Sequence, residues 1–207
     1  GDEALAREHY TAQHDILVKL VGPEHPLVAG ADNNLGLTAE AEGRLDAAER
    51  YYRESVRLFE QSLGPDHPRV AIALSNLGAT LHKRNKPAET LAAFQRALAI
   101  NTARFGPDYP DSLDALLGEG ESLVALGRPK EARAPIARAL KMASSGEPQL
   151  WGQAEARFAL AEALWASGGD RARAHALAVE ARKGMAGETS TLARRLVADI
   201  DAWLAQH

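Results

Sequence analysis

Apolar side chains recur along much of the chain at the three- and four-residue spacing of amphipathic helices. The stripe Tyr52, Val56, Phe59 and Leu63 is one example, and it ends where Gly64 begins a Gly-Pro pair that stops a helix. Breakers of this kind divide the chain into helix pairs. The predicted pairs cover residues 26–42 and 46–62, 68–84 and 87–105, 110–126 and 129–144, and 149–167 and 171–186. The pattern therefore predicts an all-helical chain.

A short junction precedes each helix pair and returns at a fixed interval. Gly22–Pro26 reads Gly-Pro-Glu-His-Pro, and close copies stand at Gly64–Pro68 and Gly106–Pro110, each 42 residues after the one before. A weaker fourth copy is Gly146–Pro148. Self-similarity at one such period is the signature of stacked helical units that bury a core between neighbours. The chain is therefore predicted to be a solenoid of helix hairpins.

Equivalent positions of the repeat alternate between very small and large side chains. Gly36, Gly78 and Gly120 are expected where a helix would otherwise meet a facing side chain. Tyr52 and Phe94 are expected to fill the space between hairpins, since packed layers combine large and small residues. Small residues are expected to receive the next hairpin at Ser55, Ala97, Ala139 and Ala181.

Charged residues on the second helix of the first pair are spaced for ion pairs within that helix. Asp46 and Arg50 are four residues apart, as are Glu49 and Arg53, which is typical of a solvated helix face. The basic cluster at residues 83–86 is interpreted as cations at a helix C-terminus, where they complement the helix dipole. Neither feature indicates a ligand site.

The placing of small and large residues resembles the tetratricopeptide repeat. That family has Leu-Gly on its first helix, and Ala, an aromatic residue and a small residue on its second. Here these positions read Leu35-Gly36, Ala48, Tyr52 and Ser55, and again Leu77-Gly78, Thr90, Phe94 and Ala97. The 42-residue period and the junction are similar to the kinesin-light-chain variant of the repeat. The resemblance implies an all-α, right-handed α-α superhelix of antiparallel helix hairpins that binds proteins or peptides.

We expect a single solenoid over residues 1–207. Residues 1–21 align with a second helix and form an incomplete repeat, and residues 188–207 form a capping helix. The repeats between them are expected at 22–63, 64–105, 106–145 and 146–187. The half-repeat at the N-terminus offers a surface for self-association.

The fourth repeat and the chain end show a narrower likeness. Gly168–Ala174 and Asp201–Leu204 are similar to the C-terminal repeat region of large bacterial Ser/Thr protein kinases. That likeness implies a catalytic domain upstream, because the 207 residues contain neither the Gly-rich phosphate loop nor the catalytic-loop and metal-binding Asp patterns of kinases. The fragment itself is predicted not to be an enzyme.

Composition narrows the classes of partner. The net charge of −4 argues against nucleic acid, and no apolar run approaches the ~18 residues of a membrane span. The lack of cysteine excludes disulfides and thiolate metal sites and fits a cytoplasmic protein. His25, His67 and Tyr109 occupy equivalent junctions a hairpin apart, too far from one another to share a metal ion. No catalytic residue, metal site or cofactor is therefore predicted.

The family resemblance also implies where a ligand binds. Tetratricopeptide repeats line a concave groove with the first helix of each hairpin. The implied peptide-binding residues are Asn33, Asn34, Leu37, Ile72, Ser75, Asn76, Ala79, His82 and Glu121. Asparagine amides can both donate to and accept from a peptide backbone. The alternative is that Asn34 and Asn76 only bond neighbouring helices.

The residues implied to contact the peptide include no Lys or Arg, unlike those family members that clamp a terminal carboxylate. The expected ligand is a neutral or mildly basic peptide. The sequence thus predicts a non-catalytic protein- or peptide-binding scaffold within a larger bacterial signalling protein such as a Ser/Thr kinase. The alternative is a peptide-sensing regulatory domain of a bacterial signal-transduction or transcription regulator.

Overall fold

The helix starts follow from the residues of each junction. In the computed structural model, which describes residues 2–145 and 150–207, His25 and His67 act as N-caps. Nδ1 of each histidine accepts a hydrogen bond from the backbone N–H two residues on, at 3.2 and 3.1 Å. Pro26 and Pro68 follow in the first turn, where a missing N–H costs no hydrogen bond. The junction histidines therefore have a structural role.

The chain divides into two units, of which the first is Gly1–Pro107. Its helices are α1 (Asp2–Val21), α2 (Pro26–Ala41), α3 (Leu45–Leu63), α4 (Pro68–Lys83) and α5 (Pro87–Phe105). α2 and α3 form one hairpin and α4 and α5 the next, while α1 packs on α2 and α3 packs on α4. The bounds predicted for α2 to α5 are confirmed to within one residue.

The second unit is Asp108–His207. Its α-helices are α6 (Leu113–Ala125), α7 (Pro129–Ser144), α8 (Leu150–Ala166), α9 (Arg171–Gly184) and α10 (Thr191–Gln206). α6 pairs with α7, α8 pairs with α9, and α10 packs on α9. The weak junction Gly146–Pro148 lies outside the described residues. The single solenoid over residues 1–207 and its repeat boundaries stay predictions.

The third junction differs from the first two in how its helix begins. Tyr109 replaces the histidine and makes no capping bond; its hydroxyl donates to Asp111 at 2.7 Å instead. The chain then forms a short 3-10 turn over Pro110–Ser112, and α6 begins only at Leu113. The predicted start at residue 110 is therefore wrong, because tyrosine lacks the ring acceptor with which histidine caps the first turn.

In three hairpins, a glycine of the first helix lies too close to a side chain of the second helix to accommodate a methyl group. A Cβ built on Gly36 would lie 2.6 Å from Cε1 of Tyr52, and one built on Gly78 would lie 2.7 Å from Cε1 of Phe94. In the second unit, Gly120 faces Ile136 in the same way. The predicted role of the three glycines is confirmed. The large side chain that each one faces lies on the second helix of its own hairpin.

Tyr52 also extends to the next hairpin, as predicted. It is fully buried and belongs to an apolar cluster that includes Leu77 and Leu81 of α4. The small residues expected at these seams are buried as well. They are Ser55, Ala97, Ala139 and Ala181. Ser55 adds a hydrogen bond, since its hydroxyl donates to the Ala29 carbonyl at 2.8 Å.

Charge holds the two hairpins of the first unit together. The Glu49 carboxylate is buried, and it accepts hydrogen bonds from Arg53, Arg84 and Lys86. Burial alone would raise the pKa of Glu49, but hydrogen bonds from Lys86 and Arg53 outweigh it and hold the pKa below its ordinary value. The more exposed Asp46 also pairs with Arg84. Asp46 lies on an exposed helix face and the Glu49–Arg53 pair is present, as interpreted from the sequence. The interpretation of Glu49 as part of a solvated face is wrong, because its carboxylate is buried against the hairpin that follows.

The last helix closes the second unit with aromatic contacts. Trp203 of α10 meets Phe158 and Trp165 of α8 edge to face, with ring centroids 6.2 and 5.5 Å apart. Ile200 is fully buried. α10 thus covers apolar surface of α8 and also contacts α9. That it caps a solenoid stays a prediction.

The glycine contact gives a stability prediction with a control on the same helix. Gly36→Ala should destabilise the protein by about 1–3 kcal/mol, since the new methyl group would overlap the Tyr52 ring. Gly30→Ala, also on α2, meets nothing within 4 Å and should be neutral or stabilise by up to about 1 kcal/mol through helix propensity. Chemical denaturation measures both. Equal effects of the two substitutions would contradict the close approach.

Candidate functional site

A cavity opens on the side of the first unit where α1, α2 and α4 come together. Its volume is about 380 Å³. α2 contributes half of the lining residues, and α1, α3 and α4 contribute the rest. The lining residues are Gln13, Leu17, Leu27, Gly30, Ala31, Asn33, Asn34, Phe59, Arg69 and Ile72. The site thus combines an apolar interior with a few amides and one cation, which is a composition typical of peptide sites.

The apolar part of the cavity contains side chains that are unusually accessible for their size. Leu27 is 47% exposed and Ile72 is 58% exposed. Phe59 is buried at the back, and the Arg69 guanidinium lies 5.8 Å from its ring centroid. An apolar ligand side chain would therefore remove leucine and isoleucine surface from water beside a fixed positive charge.

The two asparagines of α2 are in different hydrogen-bonding states. Asn33 Oδ1 accepts a hydrogen bond from Asn76 Nδ2 at 2.9 Å, which joins α2 to α4. The side-chain amide of Asn34, in contrast, bonds to no residue that the structure describes, and it is only partly buried. Asn76 therefore bonds a neighbouring helix, which was the alternative to ligand binding. Asn34 keeps both its donor and its acceptor for a ligand.

The structure brings together only some of the residues that the resemblance implied. Asn33, Asn34 and Ile72 line the cavity, and Asn76 borders it through its bond to Asn33. The remaining residues of the first unit lie on α2 or α4 outside the lining. They are Leu37, Ser75, Ala79 and His82. Glu121 lies on α6 in the second unit.

Glu121 is not an ordinary charged contact residue. Burial raises its pKa to about 7. Burial also raises the pKa of Glu162 on α8 to about 7, and the carboxylates of Glu121 and Asp199 add to the effect while His207 opposes it. Both carboxyl groups therefore keep their protons to a higher pH than an ordinary glutamate does.

Sequence reasoning missed the contribution of α1. Gln13 and Leu17 line the cavity from the helix aligned with α3, where Gln13 corresponds to Ser55 and Leu17 to Phe59. A long amide at Gln13, where the other repeats have small residues, was the signal that could have been read. The charge of Arg69 was missed too, because its position is outside the family's contact pattern.

A histidine and a carboxylate join α1 to α2 beside the lining residues. His14 Nε2 lies 3.5 Å from Asp32 Oδ1, and Asp32 is buried. Burial raises the pKa of Asp32 to about 6; His14 opposes this shift, Glu54 adds to it and Arg57 opposes it. A buried carboxylate of this kind costs stability whenever it is ionised.

Over the ranges 2–145 and 150–207 there is no group of three or more His, Asp or Glu side chains placed to bind a metal ion. No helix in those ranges has the length and apolar character needed to cross a bilayer.

A family model for the tetratricopeptide repeat matches the chain over residues 1–61, 27–103 and 79–145. The chain belongs to the tetratricopeptide repeat family. Its fold class is accordingly all-α, built in each unit from antiparallel helix hairpins. Proteins of this family are in general non-catalytic scaffolds that bind other proteins or peptides.

Several solved structures share this fold at low sequence identity. BtubC (BKLC) from P. vanneervenii is 18% identical, with a TM-score of 0.78 over 92% of this chain and 77% of that one. A Podosopora anserina putative kinesin light chain with nearly identical TPR-like repeats is 18% identical, with a TM-score of 0.73 and 90% of each chain covered. A single-substitution variant of that protein is 19% identical, with a TM-score of 0.74 over 89% of this chain and 87% of that one. No curated protein matches the sequence.

The buried carboxylate predicts a pH-dependent stability. Because the pKa of Asp32 is higher in the folded state than its ordinary value of 3.8, the folded state binds the proton more tightly. Stability from this group is present below about pH 4 and is lost as pH rises through about 6. Asp32→Asn, which keeps the shape and removes the charge, should stabilise the protein by about 1–3 kcal/mol at pH 7.5 and much less at pH 4.

Thermal or urea unfolding of both proteins at the two pH values measures this difference. Using the difference between variant and wild type cancels the titration of Glu121 and Glu162, which is common to both. A stabilisation that is the same at pH 4 and pH 7.5 would contradict the burial of an ionisable Asp32.

Proposed function

We propose that this tetratricopeptide repeat chain is a non-catalytic scaffold that binds an extended peptide in the cavity formed by α1, α2 and α4. The observation that carries the proposal is that one cavity contains both the free Asn34 amide and the exposed Leu27 and Ile72 side chains. An amide with both donor and acceptor available suits a peptide backbone, and the apolar surface suits one bulky side chain.

The cavity also suggests the character of the peptide. Arg69 is the charged side chain of its lining, and its guanidinium lies beside the Phe59 ring. A neutral or acidic peptide fits this electrostatic setting better than the mildly basic one expected from the sequence. The bulky apolar residue of the ligand would lie on Leu27 and Ile72, with its main chain passing Asn34.

Peptides selected from a displayed random library on the wild-type protein provide the probe. Asn34→Ala and Ile72→Ala should each weaken binding of a selected peptide by about tenfold, because each removes part of a small contact area. Leu192→Ala, at a comparably exposed apolar residue on α10, is the matched control and should change the Kd by less than about twofold. Fluorescence anisotropy measures the three affinities. Unchanged binding by both cavity variants would exclude this site.

We further propose that α1 mediates self-association. Leu5, Ile16 and Leu20 on this helix are between 55% and 75% exposed, which is unusual for side chains of this kind on a helix that packs in a domain. Leu20→Glu should then shift the mass measured by sedimentation equilibrium toward the monomer. A wild-type protein that is monomeric at about 100 μM would contradict the proposal.

The cellular setting is a separate proposal. The likeness of Gly168–Ala174 and Asp201–Leu204 to kinase-associated repeats supports a place in a bacterial signalling protein, with a Ser/Thr kinase domain upstream and a cytoplasmic location. The second candidate, supported by the peptide-sized cavity, is the peptide-sensing domain of a signal-transduction or transcription regulator. The two are distinguished by the full-length gene, which would encode either a kinase or a DNA-binding domain before these repeats.

A further inference from the structure

A second groove lies in the second unit, between the first turns of α7 and α9. Its volume is about 620 Å³. Leu160 and Leu164 of α8 form the floor, and Lys130, Arg133 and Arg173 stand at the edges with exposed side chains. This surface consists mainly of second helices, so it is distinct from the peptide cavity proposed above.

The three cations of this groove have no counter-ions in the part of the chain that the structure describes. The carboxylate of Glu131, which is close in sequence, binds Arg128 at 2.7 Å instead. Asp170, the acidic residue of the lining, caps α9 by accepting the backbone N–H of Arg173 at 2.9 Å. The lining therefore carries a net positive charge.

The first unit shows how the same position of the repeat is neutralised there. Lys130 and Arg133 stand two 42-residue periods after Asp46 and Glu49. In the first unit those two acids bind Arg84 and Lys86 of the following hairpin. In the second unit the earlier helix carries cations instead, and the position two periods after Lys86 is Asp170, the acidic residue of the lining. α9 contributes a further cation, Arg173. Positions whose charge holds hairpins together in the first unit are left available here.

We propose that the groove between α7 and α9, defined by Lys130, Arg133, Leu160, Leu164 and Arg173, binds an acidic peptide segment of a partner protein. Carboxylates of the segment would pair with the three cations, and an aliphatic side chain between them would lie on the two leucines. Unpaired cations around a partly apolar floor match this chemistry.

A peptide fits the surface better than a nucleic acid does. The net charge of −4 repels a long polyanion, and the lining contains no aromatic side chain on which a base could stack. The leucine floor would contribute nothing to binding a phosphate backbone, but it would stabilise a bound leucine or isoleucine.

The test uses the whole 207-residue chain and a fluorescein-labelled peptide of alternating glutamate and leucine. The groove variant Lys130→Glu/Arg133→Glu should raise the Kd about tenfold or more, since it replaces attraction by repulsion along one edge of the site. The control Arg194→Glu/Arg195→Glu has the same change in net charge at two exposed arginines of α10 and should stay within about twofold. A peptide with serine in place of leucine should bind more weakly than the leucine peptide.

The melting temperature of the groove variant provides a second test. Lys130 and Arg133 form no ion pair with a carboxylate in residues 2–145 and 150–207, so the two substitutions break no ion pair and the melting temperature should not fall. Loss of binding with an unchanged melting temperature supports the proposal. Three outcomes would overturn it: equal losses in the groove and control variants, no binding by wild type below about 1 mM peptide, or tighter binding of a single-stranded oligonucleotide of equal charge.

Discussion

The architecture of the hairpins α2–α3, α4–α5 and α6–α7 depends on one contact, in which a glycine of the first helix lies directly against a large side chain of the second. Gly36 against Tyr52, Gly78 against Phe94 and Gly120 against Ile136 repeat this contact. A Cβ at any of these three positions would overlap the side chain that faces it. The contact fixes which face of the first helix turns inward. On α2, Leu35 is consequently buried with Gly36, while Asn33 and Asn34 remain partly accessible.

Charge has a different use in the two units. In the first unit, Asp46 and Glu49 of α3 bind Arg84 and Lys86, which lie between α4 and α5. Hydrogen bonds from these cations offset the cost of burying the Glu49 carboxylate. In the second unit the equivalent residues are Lys130 and Arg133. The last helix of that unit packs through aromatic contacts of Trp203 with Phe158 and Trp165. A repeated backbone thus carries a structural ion cluster in one copy and an unpaired cationic groove in another.

Much of the fold could be predicted because the same structural residues recur at equivalent positions of several repeats. Helix bounds in the first unit and the roles of Gly36, Gly78 and Tyr52 follow from residues that recur at one spacing. What could not be predicted depends on contacts between neighbouring repeats or on a single changed residue. Predicting the burial of Glu49 requires knowing that α4 ends beside it. The late start of α6 depends on one tyrosine. The hydrogen bond from Asn76 to Asn33 joins two helices, α4 and α2. The cavity itself was only partly foreseen, because Gln13 and Leu17 reach it from a helix that the family pattern does not assign to the ligand.

The central claim is that the ligand of this scaffold lies against the first helices of the first unit. A crystal structure of the protein with a library-selected peptide tests it most directly. The account predicts a main-chain group of the peptide within hydrogen-bonding distance of the Asn34 amide, with an apolar side chain on Leu27 and Ile72. A peptide bound elsewhere on the protein, with the cavity left open, would contradict it.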